Sequence, residues 1–134
     1  MYGNPISPID RTAYVQDPSS SLLNSKSLIG DYVYVVDELE QIWIAYNCSH
    51  QHPKVLGSAR SVLYAGEMRI EANGEITELN NLSGTFRCQS KQSLCCVASQ
   101  LASIGFIVHG VFWFPPDGST APKRLVCGRS GVQA

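Results

Sequence analysis

The chain has 134 residues, a length typical of one domain, and its 44% hydrophobic and 16% charged residues exclude global disorder. The formal net charge of −1 gives no bulk attraction for nucleic acid, so such a partner would depend on a local basic patch formed on folding. No segment approaches the roughly 18 consecutive apolar residues that a membrane-spanning helix needs.

The N-terminal segment, residues 1–28, contains three prolines and a run of three serines and has little periodicity. It is predicted to be an irregular arm or linker, and it lacks the cationic start and apolar stretch of a signal peptide. Residues 29–127 are expected to form a single catalytic or binding domain, followed by a loose tail at 128–134.

Two hairpins are predicted in the first half of that domain. Residues 32–36 and 42–46 are rich in β-branched and aromatic side chains and flank an acidic turn, which is typical of paired strands. Residues 61–71 and 75–79 are joined by Asn73-Gly74, the residue pair preferred in a tight type I′ turn. The polar loop between the hairpins, residues 47–61, has too many turn-forming residues for a regular element.

One amphipathic helix is predicted at about 91–104. Ser90 is a suitable N-cap, the apolar residues from Leu94 to Ile104 follow helical spacing, and Gly105 can end the helix in the left-handed conformation. Strands are expected at 106–114 and 123–127. The fold class is therefore α+β, a mostly antiparallel sheet with one main helix.

The five cysteines are an odd number that fits no closed disulfide framework. Their spacing predicts free thiols in a reducing compartment, and action in the cytoplasm is the simplest expectation. Cys95 and Cys96 fall in the first helical turn, where the helix dipole lowers a thiol pKa. With His109 on the next strand as base, they would form a Cys-His hydrolase or deamidase. The alternative is a buried structural thiol.

A zinc site is a second hypothesis, because Cys48, His50 and His52 place three donors within five residues. The sequence has no CxxC pair and no HExxH motif to accompany them. Exposed loop histidines are the simpler interpretation, and no metal is predicted.

Glu67 is the third candidate for chemistry. Strict alternation in the predicted strand places it on one face with Leu63, Ala65 and Arg69 and places Gly66 on the other. Glycine inside a strand often marks a point where a backbone or ligand comes close. The alternative is an exposed surface of Glu67 and Arg69 without a function.

Several short motifs around Glu67 resemble a domain found at the toxic C-terminal ends of bacterial polymorphic effectors, including Rhs-type proteins. A related pattern occurs in plant IQ-motif calmodulin-binding proteins. The motifs, which cover about half the chain, are His52-Pro53, Leu56-Gly57-Ser58, Ala65-Gly66-Glu67, Asn73-Gly74, Ser83-Gly84-Thr85-Phe86 and the helix from Ser90. The commoner form has His-Tyr after Ser-Gly, whereas Thr85-Phe86 cannot transfer protons. The sequence from Asn4 to Asp10 also resembles the junction that precedes Rhs toxin tips.

The resemblance implies an ADP-ribosyltransferase-like fold, in which two packed sheets hold NAD in a cleft. It assigns Glu67 as the catalytic glutamate that hydrogen-bonds the nicotinamide ribose, with His52 beside it. Residues expected to bind the cofactor are Tyr32, Tyr34, Ser58, Ser83 and Arg87, the last of these at the pyrophosphate.

The same resemblance implies a biological setting. The domain would be delivered by a larger secreted carrier, act in the cytoplasm of a target cell on a protein or RNA, and be neutralised by a cognate immunity protein. Two alternatives stay open: the Cys-His hydrolase, and a regulatory or immunity binding module. In the binding module, Trp43, Tyr46 and Trp113 would form an exposed protein interface.

Overall fold

A computed structural model describes residues 2–24, 29–47, 52–118, 121–128 and 131–133 and confirms the α+β class. Ten strands and two α-helices are present within those residues. In chain order they are β1 (Ser21–Leu22), β2 (Gly30–Val36), β3 (Ile42–Tyr46), α1 (His52–Leu56), β4 (Tyr64–Ile70), β5 (Glu75–Asn80), α2 (Lys91–Ile104), β6 (Ile107–Val108), β7 (Val111–Trp113), β8 (Lys123–Arg124), β9 (Val126–Gly128) and β10 (Gly131–Gln133).

The strands form one sheet of eight and a separate sheet of two. The large sheet has the order β1-β3-β2-β4-β5-β7-β8, and β6 also pairs with β5. Most neighbours are antiparallel, whereas β6 and β7 run parallel to β5, because α2 carries the chain back across the sheet. Five consecutive residues of β2, 32–36, are buried, so both faces of this central strand are covered.

Both predicted hairpins are confirmed. β2 and β3 pair from Tyr32 opposite Tyr46 to Val36 opposite Ile42. β4 and β5 are joined by a tight turn in which Asn73 has φ 61° and Gly74 has φ 71°, the positive angles that a type I′ turn requires. A register shift after Arg69 adds a bulge to this pair.

The predicted helix is confirmed as α2. The Ser90 hydroxyl accepts a 3.0 Å hydrogen bond from the Ser93 amide, and Gly105 ends the helix with φ 117°. Its apolar stripe, which includes Leu94 and Leu101, is buried in the core. No helix in the described part of the chain has the length and apolar character needed to cross a bilayer.

Three expectations about regular structure differ from the fold. The loop at 47–61 contains α1, whose buried Val55 and Leu56 pack a single helical turn against β2 and β3. The strand expected at 106–114 is divided into β6 and β7, with His109 and Gly110 between them. The tail is not loose throughout, since Gly131–Gln133 pairs with β9.

The N-terminal arm is irregular but belongs to the fold. Ser21–Leu22 pairs with β3, Ile6 exchanges backbone hydrogen bonds with Val62, and Leu23 is buried. The arm therefore packs along the domain.

The prediction of five free thiols is wrong for two cysteines. Cys95 in α2 and Cys127 in β9 form a disulfide across a sequence separation of 32. Cys88 and Cys96 are buried thiols, and burial raises the pKa of Cys88 to about 12. Cys48 lies outside the described residues. The disulfide attaches the small two-stranded sheet to the main helix.

Candidate functional site

Glu67 lies in a recess of the large sheet. The recess has a volume of about 420 Å³ and is lined by Val33, Asn47, His52, Glu67, Leu82, Ser83 and Gly84. Three residues singled out from the sequence, Glu67, His52 and Ser83, therefore share one cavity. The alternative hypothesis was that Glu67 and Arg69 form an exposed surface, but Glu67 is only partly exposed and lines this recess.

The position of Glu67 follows from strand register. Glu67 stands opposite Val33 in the β2–β4 pair, and residues directly opposite in an antiparallel pair point to the same face. Helix α1 packs against that region of β2 and brings His52 to the cavity wall. The chain after β5 supplies Leu82, Ser83 and Gly84 from the other side.

Two asparagine side chains hold the Glu67 carboxylate. The Asn47 amide donates to Oε2 at 3.2 Å, and the Asn80 amide donates to Oε1 at 3.3 Å. The backbone amide of Glu67 donates to Oδ1 of Asn80 at 2.9 Å. A carboxylate has about four acceptor positions, so this arrangement fixes Glu67 and still leaves it able to accept a ligand hydroxyl.

His52 is held in one tautomer. Its Nε2 lies 2.7 Å from the carbonyl oxygen of Gly66, which can only accept, so Nε2 carries the proton. Burial lowers the pKa of His52 and favours the neutral ring, in which Nδ1 remains an acceptor. This neutral imidazole lines the cavity, and its Nδ1 can accept a hydrogen bond.

A second recess adjoins the first and shares Asn47 and Glu67 with it. It has a volume of about 290 Å³ and is lined by Asp31, Asn47, Glu67, Met68, Arg69 and Glu78. Arg69 pairs with Asp31 at 2.7 Å in an exposed salt bridge. The two recesses together form a cleft with Glu67 at the junction, and the volume of the first recess, about 420 Å³, falls in the range of small-molecule sites, about 300–1,000 Å³.

The remaining predicted cofactor residues lie elsewhere. Tyr32 stands opposite Met68 and Tyr34 opposite Gly66, so both tyrosines occupy the face away from Glu67. Tyr32 stacks on Tyr46, and the Tyr34 hydroxyl donates to the Asn80 carbonyl oxygen at 2.8 Å. Neither tyrosine lines the cleft.

Ser58 and Arg87 are also outside the cleft. Ser58 is an exposed residue with φ 54°, and its backbone amide donates to the Tyr14 carbonyl oxygen. Arg87 is exposed and lines a neighbouring pocket of about 130 Å³ that shares Leu82 and Ser83 with the Glu67 cavity. Arg87 is thus adjacent to the site, whereas Ser58 is not among its lining residues.

The thiol hypothesis loses its nucleophile at Cys95, because that sulfur is bonded to Cys127. Cys96 is a buried thiol whose pKa is raised by burial, the opposite of thiolate activation. His109, the predicted base, forms a hydrogen bond between its Nε2 and Oε1 of Glu75, with the two atoms 2.9 Å apart. A cavity of about 630 Å³ is lined by the disulfide and His109, but it contains no reactive thiol from either predicted cysteine.

The zinc hypothesis depended on Cys48 and His50, which lie outside the described residues. His52, the third donor, already bonds the Gly66 carbonyl through Nε2. Among the residues that the structure describes, no group of three or more His, Cys, Asp or Glu side chains could hold a metal ion.

The three aromatic residues proposed for a protein interface differ in exposure. The Trp43 indole donates to the Asp37 carboxylate at 2.9 Å, and the Trp113 indole donates to the Gln89 carbonyl oxygen at 3.0 Å. Both tryptophans are half-buried and pack against the core. Tyr46, which is 47% exposed, is the most accessible of the three.

Sequence reasoning did not identify Asn47 or Asn80 as part of the site. Asn80 is a polar residue at the buried end of β5, and its side chain meets both Glu67 and Glu78. The available signal was the asparagine pair Asn80-Asn81 at the end of β5. Comparison with protein families, with curated proteins and with solved structures found no match.

Proposed function

We propose that this protein is a bacterial effector toxin domain that uses NAD, either to transfer ADP-ribose to a protein or RNA or to hydrolyse the cofactor. The observation that carries the proposal is the Glu67 carboxylate, fixed by two amide donors in a cleft beside His52 and Ser83. The resemblance of the Ala65-Gly66-Glu67 and Ser83-Gly84 motifs to polymorphic toxin tips adds to it.

The reaction breaks the bond between the nicotinamide nitrogen and C1 of its ribose. Nicotinamide leaves with the bonding electron pair, and the ribose passes through a cation-like transition state with positive charge at C1. Glu67 would accept a hydrogen bond from a ribose hydroxyl and stabilise this charge, an interaction that strengthens in the transition state. Water or a target hydroxyl or amine then bonds to C1 and loses a proton.

His52 and Ser83 would support that step from the walls of the cavity. His52 is held neutral with Nδ1 as an acceptor, which suits it to bind a polar hydrogen of the substrate or of the attacking group. The Ser83 hydroxyl accepts hydrogen bonds from the amides of Thr85 and Phe86, which keeps the Ser83-Gly84 turn in place beside the cleft.

The proposed setting is delivery by a larger carrier into the cytoplasm of a target cell, with a cognate immunity protein in the producing cell. A disulfide is typical of chains that pass through an oxidising compartment, and export from the producing cell would provide that passage. An immunity protein that covered the cleft would prevent NAD from reaching Glu67.

The test is to express the chain in a bacterial cytoplasm and to measure growth and cellular NAD. We expect the wild type to stop growth and deplete NAD or label a macromolecule, and Glu67→Gln to abolish both effects. Glu38→Gln is the matched control, because Glu38 is an exposed glutamate in the β2–β3 turn. Growth arrest with unchanged NAD and no ADP-ribosylated product would refute the proposal.

A further inference from the structure

We propose that Asn80 is the positioning residue of this site and that its side-chain amide holds Glu67 and Glu78 as a carboxylate pair. This inference rests on the proposed function for its catalytic meaning. Asn80 is fully buried, and its NH₂ group donates to Glu67 at 3.3 Å and to Glu78 at 3.0 Å. One amide group therefore spans two acidic side chains that belong to adjacent strands.

The orientation of the Asn80 amide is fixed by its other contacts. Its Oδ1 accepts from the backbone amide of Glu67 at 2.9 Å and from that of Leu82 at 3.0 Å. Backbone amides only donate, so the oxygen must face them and the NH₂ group must face the carboxylates. The backbone of Asn80 is anchored as well, because its carbonyl oxygen accepts from the buried Tyr34 hydroxyl.

The Asn80 side-chain amide lies between the carboxylates of Glu67 and Glu78, which repel each other when both are ionised. Other charged or titratable groups around the pair are Arg69 and Asp31 in the adjoining recess and His52 on α1. Arg69 is engaged with Asp31, so the Asn80 amide is the donor that both carboxylates share. Loss of that donor would let Glu67 swing away from the ribose position, and a misplacement of about 1 Å can cost 100-fold in rate.

The experiment compares Asn80→Asp with Asn81→Asp. Asn81 is the neighbouring buried asparagine, and its NH₂ group donates to the Cys88 and Phe114 carbonyl oxygens, so it has a comparable structural role without touching Glu67. In NAD turnover we expect Asn80→Asp to lower kcat by about 100-fold with little change in KM. We also expect the acid limb of its pH–rate profile to move to higher pH, since a third acidic group disfavours ionisation of its neighbours.

Asn81→Asp should leave kcat and the acid limb unchanged per folded molecule, even where it lowers the melting temperature. Equal effects of the two variants on kcat and on the pH profile would overturn the inference and leave Asn80 as a structural residue only. Asn80→Ser, which keeps a small polar side chain, is the second variant should Asn80→Asp not fold, and it should also lower kcat.

A measurement without NAD separates this inference from the proposed function. The side-chain NH₂ signals of Asn80 and Asn81 can be followed by ¹⁵N NMR as the pH is lowered through the range where glutamates protonate. We expect the Asn80 signal to move and the Glu67→Gln variant to remove part of that movement, while the Asn81 signal stays fixed. An Asn80 NH₂ signal that neither moves with pH nor responds to Glu67→Gln would refute the positioning role, even if the enzyme is active.

Discussion

Gly66 offers the sharpest test of how the site is built, because the chain passes very close to it. A Cβ atom placed on Gly66 would lie 1.9 Å from the Asn80 carbonyl oxygen and 2.9 Å from the Tyr34 hydroxyl. Backbone atoms cannot yield as the end of a flexible side chain can. The Gly66→Ala substitution therefore requires β4 and β5 to move apart at this point.

The energetic cost has two parts. Overpacking a tight interior costs about 1–3 kcal/mol, and loss of the buried hydrogen bond between Tyr34 and the Asn80 carbonyl costs about 1–3 kcal/mol. The conformational advantage of alanine over glycine in a strand offsets only about 0.5–1 kcal/mol. We expect Gly66→Ala to lower the free energy of unfolding by about 1–5.5 kcal/mol.

Urea unfolding followed by circular dichroism measures this change. The control is Gly84→Ala, because no atom lies within 4 Å of a Cβ placed on Gly84, and its stability should stay within about 0.5 kcal/mol of the wild type. The two variants add the same methyl group, so the contrast isolates the local clash. A Gly66→Ala protein as stable as Gly84→Ala would refute the reasoning about β4 and β5.

Three further outcomes are expected. Joint replacement of Cys95 and Cys127 by serine should lower the free energy of unfolding by about 3–4 kcal/mol, because the disulfide spans a sequence separation of 32. The wild type measured in reductant should be as unstable as this double variant, and a wild type whose stability does not change in reductant would contradict the prediction. Because burial lowers the pKa of His52, the unfolded chain takes up its proton first, so stability falls as the pH drops below 6.5. His52→Gln should flatten that decline in unfolding curves at pH 7 and pH 5, and an unchanged slope would argue against it. Tyr34→Phe should cost about 1–3 kcal/mol by leaving the Asn80 carbonyl oxygen without its donor, and equal melting curves would refute this.

Local signals predicted much of the fold. The Asn73-Gly74 turn and the helix between Ser90 and Gly105 depend on backbone preferences of neighbouring residues, which a sequence contains in full. Helix α1 was missed because five residues are too few for a helical period, and its stability comes from burying Val55 and Leu56.

Features that depend on pairing between distant segments could not be predicted in the same way. The resemblance assigned Tyr32 and Tyr34 to the cofactor, but whether these side chains share a face of the sheet with Glu67 depends on the register between β2 and β4. The disulfide joins a helix to a strand far along the chain, and an odd cysteine count does not identify such a pair. Asn80 escaped notice because two of its partners, Glu67 and Tyr34, are distant in sequence and come next to it only on folding.

The short N-terminal strand has a consequence for any shortened version of the chain. Ser21–Leu22 occupies the outer side of β3, so it satisfies backbone donors and acceptors that would otherwise face solvent. A chain started at the apparent domain boundary near Gly30 would expose that row of groups beside the buried Ile42 and Ile44. Unprotected strand edges recruit other chains, and such a truncated protein would tend to self-associate and precipitate.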